Sequence, residues 1–235
     1  INSDNETINY LKKNKIEFIN LNKEIQKRYY AILLDKFKKF QLGIANTDAY
    51  EQFEGKLINF KLNKKLIILD LNFSEKLIKK IINKYSNDNK IIICGTSPFK
   101  IYKIKSLLKK IDCLILNKEE LFKLTNIRNI FKSIRYIVKK NSNINLIVSN
   151  GANKAYGYEL SKFVSVKPPK VKVLNENGAG DAMAGNYIYY RYKNFTLEKS
   201  LLLGVATGSI HAKNKKKNKF RTIEINKISN KIKIK

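Results

Sequence analysis

The stretch 175-NENGAGDAMAGN-186 follows the apolar run Val171-Lys172-Val173-Leu174 and leads into Tyr187-Ile188-Tyr189-Tyr190. A chain rich in lysine, asparagine and isoleucine here gathers small residues around a single acid, Asp181. A strand end, a turn and a helix start at Gly178-Ala179-Gly180 would bring together backbone N–H groups that the first helical turn leaves unpaired. The aligned peptide dipoles add positive potential at the same place. Glycine lets an anion approach the backbone without a Cβ in the way. Asp181, in the same turn, could accept a hydroxyl proton as that hydroxyl attacks a phosphate. A plainer reading has the glycines pack a helix on a sheet and Asp181 cap it. The tetrapeptide alone leaves both open, and the order of the surrounding segments has to decide.

Working outward, a βα rhythm runs from about residue 60. Short apolar runs at Leu66–Leu69, Ile91–Cys94, Asp112–Leu116 and Leu146–Val148 read as buried parallel strands. Between them the spacing predicts helices over Glu75–Tyr85, from the Gly95-Thr96-Ser97-Pro98 turn through Leu108, around Glu119–Leu121, and over Ile130–Lys140. Ser74 is a candidate N-cap. A hairpin from about Ala155 to Val173 then delivers the chain to Asn175. This alternation predicts an α/β fold, a doubly wound, mostly parallel sheet flanked by helices, with ligands beyond the carboxyl ends of the strands. Residues 1–50 differ: a short helix near Thr7–Lys13, then β-like pieces at Ile16–Ile19, Tyr29–Leu34 and Phe40–Ala45. They predict a small β lid (1–50) ahead of the α/β body (51–235).

The chain has 235 residues, 48 basic against 19 acidic, for a formal charge of +29. That charge invites a nucleic-acid reading. Lysine dominates, however, beside Asn, Ile and Tyr, as AT-rich codons would give, and the basic residues are dispersed. The one tight block is 213–219, read as a solvated loop near a nucleotide pocket. No specific nucleic-acid partner is expected, and no apolar run reaches the roughly 18 residues a membrane span needs. The two cysteines, Cys94 and Cys113, lie in apolar strand-like runs without metal-ligand spacing. They read as free buried thiols of a cytoplasmic protein. The single His211 reads as a surface or helix-end residue. The polar start INSDNETINY carries no signal-peptide pattern.

With these segments in order, the sequence resembles the PfkB/ribokinase family of carbohydrate and nucleoside kinases. Gly178 to Gly185, GAGDAMAG, looks like that family's C-terminal signature. The resemblance implies Asp181 as catalytic base and the Gly178, Ala179 and Gly180 amides as an anion hole. 116-LNKEEL-121 resembles the family's N-x-x-E element, implying that Asn117 and Glu120 order Mg²⁺ and phosphates through water. 147-IVSNGANKAYGY-158 resembles the strand and turn that approach the nucleotide, giving Ser149 and Gly151. The Leu203–Ser209 helix, with Gly208, corresponds to the one that covers the adenine. Asn46 and Asn72 are candidates on the substrate side, with plain turn roles as the alternative. The implied cofactors are ATP and Mg²⁺, with a monovalent cation allowed. The implied partner is a small nucleoside or sugar, and the lid offers a route to a homodimer.

Within the family, 69-LDLNFSEKL-77, 96-TSPFK-100 with 111-IDCLILNKEEL-121, and Asn175 ahead of the glycines are most similar to pseudouridine kinases. That likeness implies phosphorylation of the 5′-hydroxyl of pseudouridine or a related nucleoside or sugar. The chain also departs from the pattern. The family's first strand and its Gly-Gly-x-x-x-Asn substrate element are absent, which predicts an exposed sheet edge. Cys94 stands where relatives carry Asp, Lys154 replaces a turn glycine, and Glu176 and Asn177 precede the motif. These departures keep two alternatives in view: an impaired remnant of such a kinase, or the kinase portion of a longer bifunctional pseudouridine-metabolising protein.

Overall fold

A computed structural model describes residues 5–18, 29–36, 40–46, 48–53, 60–174, 176–214 and 222–234. The contacts gather into two units, 1–61 with 72–77, and 62–71 with 78–235. The boundary expected at residue 50 therefore lies inside the first unit. Asn175 and most of the 213–219 block lie outside the described residues.

In the first unit, α1 (Asn5–Lys13) precedes an antiparallel pair, β1 (Tyr29–Leu34) and β2 (Phe40–Asn46), then the single turn α2 (Asp48–Glu51). Residues 16–18 form no strand, and Ile19 lies outside the described residues. Leu33 faces Leu42 and Ala31 faces Ile44 across the pair, and all four are exposed. A two-stranded ribbon has no second layer to bury such a face. Phe73 packs edge-on to Tyr50 and tilted against Phe53, with centroids 5.7 and 5.8 Å away.

The second unit is built on a six-stranded sheet: β3 (Leu66–Leu69), β4 (Lys90–Cys94), β5 (Cys113–Asn117), β6 (Asn145–Ser149), β7 (Ala155–Glu159) and β8 (Lys162–Val166). Its order follows the chain, β3 to β6 parallel and β6 to β8 antiparallel. Right-handed crossovers between strands that always step the same way keep their helices on one face. There lie α3 (Glu75–Tyr85), α4 (Lys118–Thr125) and α5 (Ile130–Lys140). The other face is covered by the C-terminal helices α6 (Ala179–Tyr192), α7 (Leu197–Lys213) and α8 (Thr222–Ser229). Ile92, Cys113, Ile115 and Ile147 meet Met183, Tyr187, Leu201 and Val205 in that core. The edge strand β3 leaves Leu66 and Ile68 exposed.

Two sequence expectations are resolved by packing. Ser74 does cap α3, its Oγ accepting from the Leu77 amide at 3.2 Å. The helix expected through Leu108 is instead two short 3₁₀ turns, Ile101–Ile104 and Leu108–Lys110. Ile101, Ile104, Leu107, Leu108 and Ile111 are all buried, so these short turns still turn an apolar side inward.

Candidate active site

The carboxyl ends of β3 to β6 and the start of α6 supply the site residues of the second unit. At the end of β5, Asn117 and Glu120 form a capping box on α4. Asn117 Oδ1 accepts from the Glu120 amide at 2.9 Å, and Glu120 Oε2 accepts from the Asn117 amide at 2.8 Å. This pair is therefore first of all a self-satisfied helix start, and Asn117 acts by fixing Glu120. Glu120 is only 3% exposed. Burial raises its pKa, the Asn117 amide lowers it, and the Asp181 charge raises it again. Asp181 and Glu120 thus lie within electrostatic reach of each other.

Gly95, after β4, explains how an acid fits so deep. A Cβ there would sit 2.2 Å from Glu120 Oε2 and 3.0 Å from Leu116 Cδ2. Any side chain at 95 would displace the carboxylate. Beside it, burial first, then the charges of Asp181, Asp70 and Glu120, push the Cys94 thiol up to about 12. Cys94 is thus a neutral thiol set among three acids. The end of β3 is tied to this region by the Leu71 amide, which donates to Thr96 Oγ1 at 2.9 Å. Buried Lys103 reaches the Leu71 carbonyl with its Nζ at 3.1 Å. Gly95, Asp70 and Lys103 were not sequence candidates. The one available signal was a lysine between the isoleucines of Ile101-Tyr102-Lys103-Ile104.

α6 opens differently. Its N-cap, Gly178, has φ +85°, in the left-handed region, and no side chain caps the helix. The Ala179 amide is spent on the Glu176 carbonyl at 3.1 Å. Among the described residues the amides of Gly178, Gly180 and Asp181 meet no acceptor, so two of the three donors the sequence pattern suggests stay open and Asp181 adds another. Gly180 and Asp181 are exposed, and nothing lies within 4 Å of a Cβ built on Gly180. An uncapped N-terminus with a carboxylate in its first turn can hold an anion and take a proton beside it.

The other candidates fall around this centre or away from it. Ser149 pairs with Asn117 across β5 and β6, its Oγ turned to the Leu116 carbonyl at 3.4 Å. Gly151 has φ +55° and open space above it. Gly208 is buried, and a Cβ there would meet the Ala179 carbonyl oxygen at 3.0 Å and Met183 Cβ at 3.2 Å. Its place is the α6–α7 contact. Asn46, at the end of β2, and Asn72 are half-buried and belong to the first unit.

Against this geometry, the family described as pfkB family carbohydrate kinase matches residues 5–220. The chain belongs to that family. It is 29% identical over 176 residues to the 1-phosphofructokinase of Borreliella burgdorferi, covering 69% of this chain and 55% of that protein. It is 32% identical over 106 residues to the ATP-dependent 6-phosphofructokinase isozyme 2 of Escherichia coli, covering 45% of this chain and 33% of that one. The pfkB chain thus spans about half the length of the first of these relatives and a third of the second. In fold it is similar to the ribokinase of Thermotoga maritima, with a TM-score of 0.78, 16% identity, 95% of this chain and 76% of that one. It is also similar to an E. coli structure described as a ribokinase II in complex with ATP and Mg²⁺, with a TM-score of 0.63, 18% identity, 71% of this chain and 58% of that one. These names support the family and its fold, and lend nothing to the pseudouridine branch. Among the described residues no helix is long and apolar enough to cross a membrane.

Proposed function

We propose that this chain carries the phosphate-handling part of an ATP-dependent kinase acting on a hydroxyl of a small sugar, sugar phosphate or nucleoside. The observation that carries this reading is the uncapped α6 start, with Gly180 and Asp181 amides open and Asp181 exposed in the same turn. The acceptor oxygen forms a bond to the terminal phosphorus of ATP, the bond from that phosphorus to ADP breaks, and the hydroxyl proton passes to Asp181. The open amides meet the charge on the transferring group, and each such donor is worth roughly 3 kcal/mol at the barrier.

No group of three His, Cys, Asp or Glu side chains among the described residues is placed to grip a metal ion directly. One buried carboxylate, Glu120, held by a cap, suits Mg²⁺, which keeps most of its waters and takes one or two carboxylates. Such an ion would neutralise phosphate charge. Glu120, steadied by Asn117, would hold its water shell. Ser149 and Gly151 would border the nucleotide, and Asn46 and Asn72 the acceptor.

The acceptor is the finer question. The two relatives are phosphofructokinases by name, while the sequence likeness favours the 5′-hydroxyl of pseudouridine. ADP release with Mg·ATP, measured on fructose 1-phosphate, fructose 6-phosphate, ribose and pseudouridine, decides between them. One acceptor should give turnover, and Asp181→Asn should lower it by roughly a thousandfold with ATP affinity within about twofold. Wild-type turnover in Asp181→Asn removes this base. No turnover with any acceptor, here or in a chain extended upstream, leaves the impaired-remnant reading. The exposed face of Ala31, Leu33, Leu42 and Ile44 supports pairing of two copies through the β1–β2 ribbon. Sedimentation as a monomer at micromolar concentration would remove that part.

A further inference from the structure

The last turn of α7 lies against the loop that leads into α6. His211 Nε2 is 2.8 Å from the Asn177 carbonyl oxygen, and the Ala212 carbonyl accepts from the Leu174 amide at 2.7 Å. One turn of helix therefore grips the loop at Leu174 on one side and Asn177 on the other. A carbonyl oxygen only accepts, so Nε2 carries the hydrogen. The ring also packs on the residue that opens α6, since a Cβ on Gly178 would lie 3.2 Å from Nε2.

We propose that His211 is a positioning residue for phosphoryl transfer. It holds the Asn177–Gly178 peptide so that the Gly180 and Asp181 amides stay aimed at the anion. The inference rests on the kinase reading above. The base from which the imidazole acts is firm. α7 meets α6 where Cβ atoms on Gly204 and Gly208 would come within 2.9 and 3.0 Å of the Met183 and Ala179 carbonyl oxygens. Asn186 Nδ2 donates to the Leu203 carbonyl at 3.3 Å and to Thr207 Oγ1. The left-handed Gly178 has no side chain with which to cap α6, so the loop's aim depends on what holds it from outside. In a reaction governed by positioning, an error of an ångström in such donors costs up to about a hundredfold.

The test compares His211→Ala and His211→Gln in the full chain, because the glutamine amide can donate to the same carbonyl and alanine cannot. Inorganic phosphate is titrated while the Gly180 and Asp181 amide resonances are followed by ¹H–¹⁵N NMR. Expected is saturable movement in the wild type, binding weakened about tenfold in His211→Ala, and recovery in His211→Gln. With an acceptor that turns over, kcat should fall by a similar factor with both KM values within about twofold. Equal phosphate binding by wild type and His211→Ala would overturn the positioning role, as would equal loss in both variants. Phosphate binding that responds to His211 in a chain that turns over no acceptor would sink the kinase reading and spare the brace. If phosphate leaves both amides unmoved in the wild type, both ideas fall. Thermal midpoints of the variants within about 2 °C of the wild type show that folding is not what was lost.

Discussion

At the start of α4, Asn117 and Glu120 answer each other's backbone amides, while at the start of α6 no side chain takes that role. α5 and α7 follow α4, with Asn129 and Thr196 accepting from the amides of Lys132 and Lys199. A filled cap stabilises a helix by about 1 kcal/mol. α6 forgoes that contribution, takes a glycine in left-handed conformation, and leaves its first-turn donors facing outward. The contrast separates two uses of acid at a helix start. Glu120 is inward, buried and bonded to its own cap, and steadies the site. Asp181 is outward and exposed, and in the proposed function it is the group that takes the proton.

The comparison can be broken by giving α6 what α4 has. Gly178→Ala forces a residue with Cβ into φ +85° and brings that Cβ to 3.2 Å from His211 Nε2. Turnover should fall by about tenfold or more, from misaimed donors, with a thermal midpoint lower by a few degrees. Unchanged turnover would mean that the turn is a plain helix start. Removing the cap from α4 is the reverse experiment. Asn117→Ala should cost about 1 kcal/mol in urea unfolding, because the Glu120 amide loses the Asn117 Oδ1 acceptor while the backbone amide of residue 117 remains. A larger loss of activity than of stability would show that Glu120 has shifted within the site.

The smallest effect concerns pH. Glu120 binds its proton more tightly folded than unfolded, since burial raises its pKa. Its ionised form therefore costs stability, a cost absent below the ordinary carboxylate range and fully present above the raised value. In thermal melts from pH 4 to 8, the wild type should lose ground relative to Glu120→Gln as pH rises. A constant difference between the two would contradict the burial argument.

Much of this was legible in residue order alone. Runs such as Ile91-Ile92-Ile93 between polar turns declare buried parallel strands, because only a strand covered on both faces is apolar without alternation. Glycine before Asp181 marks a strand-to-helix turn, while the N-x-x-E spacing of Asn117 and Glu120, read along the chain only for its ligands, proves in the structure to be a capping box as well. Other features were not local. Lys103 reads as a surface lysine until the 3₁₀ turn carries it to the Leu71 carbonyl. Gly95 reads as a loop glycine until Glu120 arrives in the first turn of α4. That Gly208 lies against α6 is likewise set by packing.

By itself, then, the sequence determined the alternation of strands and helices and the glycine turn with its acid, since both rest on periodicity or spacing along the chain, and the likeness of its motifs pointed to a kinase family. Tertiary structure alone decided which amides stay open, which acid is buried, and that His211 reaches the Asn177 carbonyl 34 residues away in sequence. Those depend on distances between segments far apart in the chain, which are set by packing on the sheet.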